Sequence, residues 1–219
     1  MSPYRERYHR KLDELKNLTE DLVDKVSTSI DQSVIALADS NMDLAREVIK
    51  NDQFVDDQSV KIENLCMELL ALQQPMAKDL RMIIGILKIG IDLERIGDLA
   101  VDVARVTAQS KNGINITKLE YIPRMGDINR KMLSQSVEAL RENNADLARQ
   151  TTKWDYEIDG LYVKARDKLL KIIIERPEII AEGTALLMVN RHLERIGDHI
   201  CNICETIVYI AEAKREHLN

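Results

Sequence analysis

The chain is written twice. Gln32 to Asp56 (QSVIALADSNMDLAREVIKNDQFVD) matches Gln135 to Asp159 (QSVEALRENNADLARQTTKWDYEID) at a shift of 103 residues, with about half of the positions identical. The hexapeptide LERIGD at Leu93 to Asp98 recurs unchanged at Leu193 to Asp198, at a shift of 100. The blocks come in the same order, so a second copy three residues shorter between them accounts for the difference. Such a duplication constrains the fold more than any other feature: each copy must follow one plan, and what one copy places on its surface the other is expected to place there too.

Periodicity says what the plan is. Tyr8, Leu12, Leu15, Leu22, Val26, Ile30 and Leu37 recur at intervals of three and four, or sums of these, which predicts a first helix. Asp39, Ser40 and Asn41 supply a break with capping chemistry, and a second helix is expected from about Met42 to Leu72. Gln74-Pro75 ends it, and a third helix is expected from about Met76 to Thr107. Helices of roughly 30 residues are about 45 Å long, and short connections make neighbours antiparallel. The second copy repeats this from about Leu119 to Arg215, with breaks at Asn143-Asn144 and Arg176-Pro177. The predicted fold is all-α: two tandem antiparallel three-helix bundles, residues 1–109 and 119–219, joined by a linker at 110–118 that contains the Asn-, Gly- and Ser-rich run SKNGINIT. Composition agrees, since only 4% of residues are aromatic while 45% are hydrophobic, enough to fill helical cores.

Charge and cysteine content exclude several roles. The formal net charge is −6, which argues against a broad surface for nucleic acid. Met1 to Arg10 lacks the apolar run of a secretory signal, and the longest apolar stretch, Met82 to Leu93, contains Lys88 and is too short to span a bilayer. A cytoplasmic location is expected. Cys66, Cys201 and Cys204 are too few for a disulfide framework, and the Cys201–Cys204 pair, with His199 near but no second cysteine pair, is expected to be structural rather than a zinc site. The two Glu-x-x-His motifs that ferritin-like di-iron bundles need are absent, since the spacing occurs only once, at Glu6 to His9, and there is no phosphate loop or Ser-His-Asp set.

The acids carry the chemistry. Glu94, Asp98 and Asp102 are spaced by four on the third helix, so successive side chains drift by only about 40 degrees and share a face. Asp52 and Asp56 repeat the spacing on the second helix. Like charges at i and i+4 destabilise a helix by a few tenths of a kcal/mol unless a cation offsets them. Counted from the turn between the helices, Asp52 and Glu94 lie at one height, so four or five carboxylates converge in the oxygen-rich environment that Mg²⁺, Ca²⁺, Mn²⁺ or iron prefers. The second copy supplies Asp155, Asp159, Glu194 and Asp198, with Asn202 where the first has Asp102, and Glu205 one turn on. That site is expected to be less negative unless Glu205 bends back to join it. Taken singly, each pair reads more readily as a solvated helix face than as a ligand set; the repetition in both copies turns the balance to metal. Gly97 and Gly197, each directly before an acid, permit either room for a metal or a close helix contact. Arg95 and Arg195 are expected to pair with neighbouring acids rather than with phosphate.

The whole chain resembles the PhoU family, through LERIGDLAVD at 93–102 and LERIGDHICNICE at 193–205, supported by NMDLAREVIKND at 41–52. The resemblance implies a cytoplasmic, non-enzymatic regulator that works with the ATPase subunit of the phosphate-specific ABC transporter and with its sensor histidine kinase. Such a protein represses phosphate-starvation genes when phosphate is plentiful and touches the membrane only through its partners. It also implies a homodimer and multinuclear clusters of iron or another metal (zinc, manganese or magnesium), held on Glu94-Asp98-Asp102 and Glu194-Asp198 with Asp52, Asp56, Asp155 and Asp159 opposite. The alternative from another class is a metal-dependent enzyme or a metal-storage bundle.

Overall fold

The computed structural model of the protein describes residues 3–72, 75–110 and 120–218. The expected linker lies outside the described residues apart from Ser110. Three helices make the first half: α1 (Pro3–Ala38), α2 (Met42–Leu72) and α3 (Ala77–Gln109). The second half has α4 (Tyr121–Glu142), α5 (Ala145–Thr152), α6 (Asp155–Glu175) and, after a single 3₁₀ turn at Pro177–Ile179, α7 (Ile180–Glu212).

The first turn of each half is built the same way. Ser40 and Asn143, equivalent at a shift of 103, take left-handed φ values of 52° and 54°. The next residue's N–H reaches back to the carbonyl of Ala36 or Ala139, 2.8 Å in both cases, as in a Schellman ending. That same residue, Asn41 or Asn144, caps the following helix by accepting the N–H of Leu44 or Leu147 at 3.0 Å. Asn144→Ala is therefore expected to cost about 1 kcal/mol, read as a lower midpoint in urea unfolding.

The halves depart from each other in their second helix. α2 is continuous, whereas its counterpart is broken at Lys153-Trp154 into α5 and α6. Thr151 and Thr152 stand where the first half has Val48 and Ile49, and their hydroxyls donate to the carbonyls of Leu147 (2.8 Å) and Arg149 (3.0 Å). Such back-bonding competes with the helix ladder. Lys153 and Trp154 then bond three residues back, to Gln150 and Thr151, which tightens the chain and ends the run. Lys131 sits 3.4 Å from the centre of the Trp154 ring.

The two bundles do not sit apart as tandem beads. α3 packs along α7 and α1 against α4, and one apolar core runs from Tyr8 to Ile210 through both halves. α3 and α7 are antiparallel, since Gly85 meets Ile210 and Asp92 meets His199. The reason is written on α3, where Ile83, Ile86, Ile89, Leu93, Ile96 and Leu99 bury a stripe too broad for α1 and α2 to cover. Arg130 to Asp31 (3.0 Å) and Arg141 to Glu20 (2.7 Å) add ion pairs across the α1–α4 seam. Among the described residues no helix is long and apolar enough to cross a membrane.

Candidate metal centre

The expected convergence of acids is clearest in the first half. One carboxylate oxygen each from Asp52, Asp56 and Asp98 lies within 4.8 Å of the other two. Oxygens bound to one hard cation at about 2.0–2.6 Å from it are at most about 5 Å apart, so the trio spans what a single ion spans. Asp52 and Asp56 come from successive turns of α2 and Asp98 from α3; the meeting level is thus one turn beyond Glu94. Asp102, a turn further, is close enough to act on Asp52 and is held by Arg105 at 2.6 Å. Glu94 lies 3.9 Å from Arg95, whose main partner is Asp98 at 2.9 Å. The expected use of Arg95 for a neighbouring acid is what the structure shows.

Burial, then the negative charges of Asp56 and Asp98, push the carboxyl of Asp52 above its ordinary range, with Arg105 opposing. Its Oδ1 is buried and has no hydrogen-bond partner. A desolvated carboxylate oxygen beside two further acids costs energy in the absence of a counter-ion. This orphaned atom is the observation that fits a cation to the residues present.

The second half keeps the acids but alters their surroundings. Glu194 and Asp198 are also pushed upward, in both cases chiefly by burial, with Asp159 acting on both. Glu194 Oε2 is buried without a partner. Here, however, Arg191 pairs with Glu194, and position 191 corresponds to Ile91 in the first half. A built-in cation thus offsets part of the charge. Asp155 is only 2% exposed. It faces the α7 backbone at Gly197, where a Cβ would stand 2.5 Å from its Oδ1 and 3.5 Å from Asn129 Oδ1. At Gly97 the same construction meets Val55 Cγ1 at 3.0 Å. Both glycines therefore serve close helix contact, one against an aliphatic side chain and one beside a buried carboxylate. Among the described residues only the Asp52, Asp56, Asp98 group brings three ligand atoms together.

The two remaining expected ligands are engaged elsewhere. Asn202 Nδ2 donates to Asp92 Oδ1 at 3.4 Å across the α3–α7 contact, and His199 Nδ1 lies 3.0 Å from the same oxygen. The equivalent contact at the other end sets Asp102 near His192. An aspartate at 202 would face Asp92, which explains the asparagine there. Glu205 accepts the N–H of Leu218 at 2.9 Å and lies 3.6 Å from His217, so the C-terminal tail holds it away from Glu194. Sequence reading missed Asp92 and Arg191, because the partners of Asp92 lie on the other half and Arg191 stands where the first copy has an aliphatic residue, so neither leaves a repeated pattern. Cys66, Cys201 and Cys204 are buried and free, and burial pushes all three thiols up, which leaves no reactive thiolate.

The upward shifts at Asp52, Glu194 and Asp198 have a definite sign in the metal-free protein. An acid that holds its proton more tightly when folded adds stability below its unfolded value and loses it as pH rises through its folded value. Metal-free protein is accordingly expected to gain thermal stability as pH falls from neutral into the range just above ordinary carboxylates. It then loses stability as Glu20, Glu212 and Glu216, held down by Arg141 and Arg149, become protonated. A series of melting curves in chelator shows this maximum; a midpoint that only declines on acidification contradicts it.

A helical protein of two fused repeats, each with an acid-lined surface between its second and third helices, is the class that this fold and site define. The family description "PhoU domain" matches twice, at residues 19–107 and 122–207. The chain belongs to the PhoU family. It is 37% identical over 185 residues to the "Phosphate-specific transport system accessory protein PhoU homolog" of Clostridium acetobutylicum, covering 84% of each chain. It is 31% identical to the Streptococcus pneumoniae protein of the same name, across 98% of this chain and all of that one. Its fold superposes on the crystal structure of PhoU from Pseudomonas aeruginosa with a TM-score of 0.87, at 31% identity, over 94% of this chain and 100% of that one.

Proposed function

We propose that this chain is an accessory regulator of phosphate-specific transport that acts by contact rather than catalysis. In this reading it binds the ATPase subunit of the phosphate ABC transporter on the cytoplasmic side. It also binds the sensor histidine kinase, and so represses phosphate-starvation genes when phosphate is plentiful. The observation that carries it is the family match over both halves, with relatives named as transport accessory proteins along nearly the whole chain. Long exposed helices offer the surfaces such contacts need, and the fold itself assigns no chemistry.

The acids fit a regulator whose surface is set by bound metal. Asp52, Asp56 and Asp98 hold a hard cation, with Asp102 and Glu94 nearby for a second ion; Glu194, Asp198 and Asp159 form the weaker counterpart. A bound cation removes the repulsion between α2 and α3 and fixes their faces.

Co-purification of the tagged chain with the ATPase subunit and with the kinase, with and without added metal, tests the contact reading. Retention of at least one partner, and derepressed starvation genes on deletion, are the expected results. Failure to retain either, together with unchanged gene expression on deletion, overturns it. Metal content is read separately: if Asp98→Ala with Asp198→Ala leaves it unchanged, the metal part is wrong while the contact part stands.

A further inference from the structure

α6 carries an apolar line on the face turned away from the core. Val163 and Leu170 are each 43% exposed and Ile174 77%, and Tyr156 extends the line at 68%. Spacings of seven, seven and four residues keep all four side chains within about 40 degrees of one another around the helix. The buried face behind them is Ile158, Leu161, Ala165 and Leu169, so the packing of α6 on α4 and α7 uses none of the line.

Basic side chains border this line. Lys164, Lys168 and Lys171 fall along one flank and Arg166 on the other. The acids nearby are already engaged: Asp167 with Arg166 at 2.9 Å, Glu175 with Lys171 at 3.9 Å, and Glu157 with Arg124. Asp159 lies beside the Tyr156 end, which centres the basic stretch on Val163 to Ile174. Residues 160–174 hold four bases and one acid, +3, in a chain whose formal net charge is −6. The equivalent residues of α2, 57–71, hold one lysine and three acids, −2. There Val60 and Met67, 55% and 58% exposed, stand at the positions of Val163 and Leu170. The two halves share the apolar line; only the second borders it with cations.

We propose that this face of α6 rests directly on the surface of an anionic lipid bilayer. Val163, Leu170 and Ile174 enter the boundary between headgroups and acyl chains, while Lys164, Lys168, Lys171 and Arg166 reach the lipid phosphates. Three of the four cations are lysines, a residue type depleted from protein–protein interfaces. Their long stems lie along apolar surface and carry the charge up to a headgroup. Among the described residues no helix is long and apolar enough to cross a membrane, and α6, with its inner face held in the core, can only lie along the surface. The family resemblance implies membrane contact only through partners; this face makes the contact itself. None of the proposed metal ligands takes part.

Co-sedimentation of the purified full chain with vesicles tests it, in chelator so that no divalent ion bridges acids to lipid. The chain should pellet with vesicles of equal parts phosphatidylglycerol and phosphatidylcholine, stay in solution with phosphatidylcholine alone, and be released as salt is raised. Lys164→Glu with Lys171→Glu should weaken binding by about tenfold or more, and so should Leu170→Glu with Ile174→Glu. Val60→Glu with Met67→Glu, the matching change on α2, should leave it within about twofold, since charge acts on the bilayer only over a Debye length. Each of these side chains is exposed, so circular dichroism should match the wild type throughout. A wild-type chain that ignores anionic vesicles overturns the proposal, as does binding that survives both α6 pairs or that the α2 pair weakens equally. If the α6 pairs abolish retention of the ATPase subunit or the kinase while vesicles bind nothing, the face belongs to a protein partner and the lipid assignment falls. The vesicle assay holds neither protein, so its failure leaves the regulatory reading standing.

Discussion

Asp52→Asn is expected to move the melting temperature in opposite directions with and without metal. In chelator the substitution removes the orphaned, partly buried charge that faces Asp56 and Asp98, and the chain should gain about 0.5 kcal/mol. With metal in hundredfold excess over its dissociation constant, the wild-type protein gains about 2.7 kcal/mol, a rise of roughly 5–10 °C for a chain of this size. The variant should lose most of that rise. Differential scanning calorimetry with and without manganese or iron reads both signs from one preparation. A solvated acidic face predicts neither effect: if the substitution leaves both midpoints within error, the acids hold no ion.

A single methyl group added at Gly197 is expected to destabilise the fold. Alanine there brings a Cβ to 2.5 Å from Asp155 Oδ1 and 3.0 Å from Ile158 Cδ1, and with Asp155 nearly fully buried the carboxylate has little room to yield. Overpacking costs about 1–3 kcal/mol against roughly 1 kcal/mol gained from removing a glycine in mid-helix. Gly197→Ala should therefore be destabilising by about 1 kcal/mol. Gly97→Ala meets one methyl of Val55 at 3.0 Å; a small shift of that side chain relieves it, so the change should be near neutral. Urea unfolding of the two variants side by side measures the contrast. Equal effects would mean that the paired glycines do one job, and that the carboxylate beside Gly197 adds nothing.

These two glycines show how far the repeat can be read. LERIGD recurs letter for letter, so sequence alone places a glycine before an acid in both halves, yet Val55 stands opposite one and Asp155 opposite the other. The same holds for the acids. Their spacing announces a shared face, and Asp52, Asp56 and Asp98 meet as that spacing implies. The counterpart differs through Arg191, through the inward turn of Asp155, and through the tail that takes Glu205. Each cause lies outside the repeated acid motif itself.

Helix boundaries were legible because they are local. Apolar period, capping asparagines and Pro177 act within a turn or two of the residues they govern, and the same Asn turn appears at 41 and 144. The interruption at Lys153-Trp154 is also local, but its signal is a pair of threonine hydroxyls competing for carbonyls, which a hydrophobic period does not register. What no local pattern contains is the packing of α3 on α7. That contact merges two bundles into one core and sets Asn202 against Asp92. Residues a hundred positions apart meet there, and their complementarity exists only once both helices have formed. The sequence by itself determined the elements, their order and the acids they carry; the tertiary structure decided which acids share an ion's reach, because distance between helices is a property of the packed core and not of any one segment.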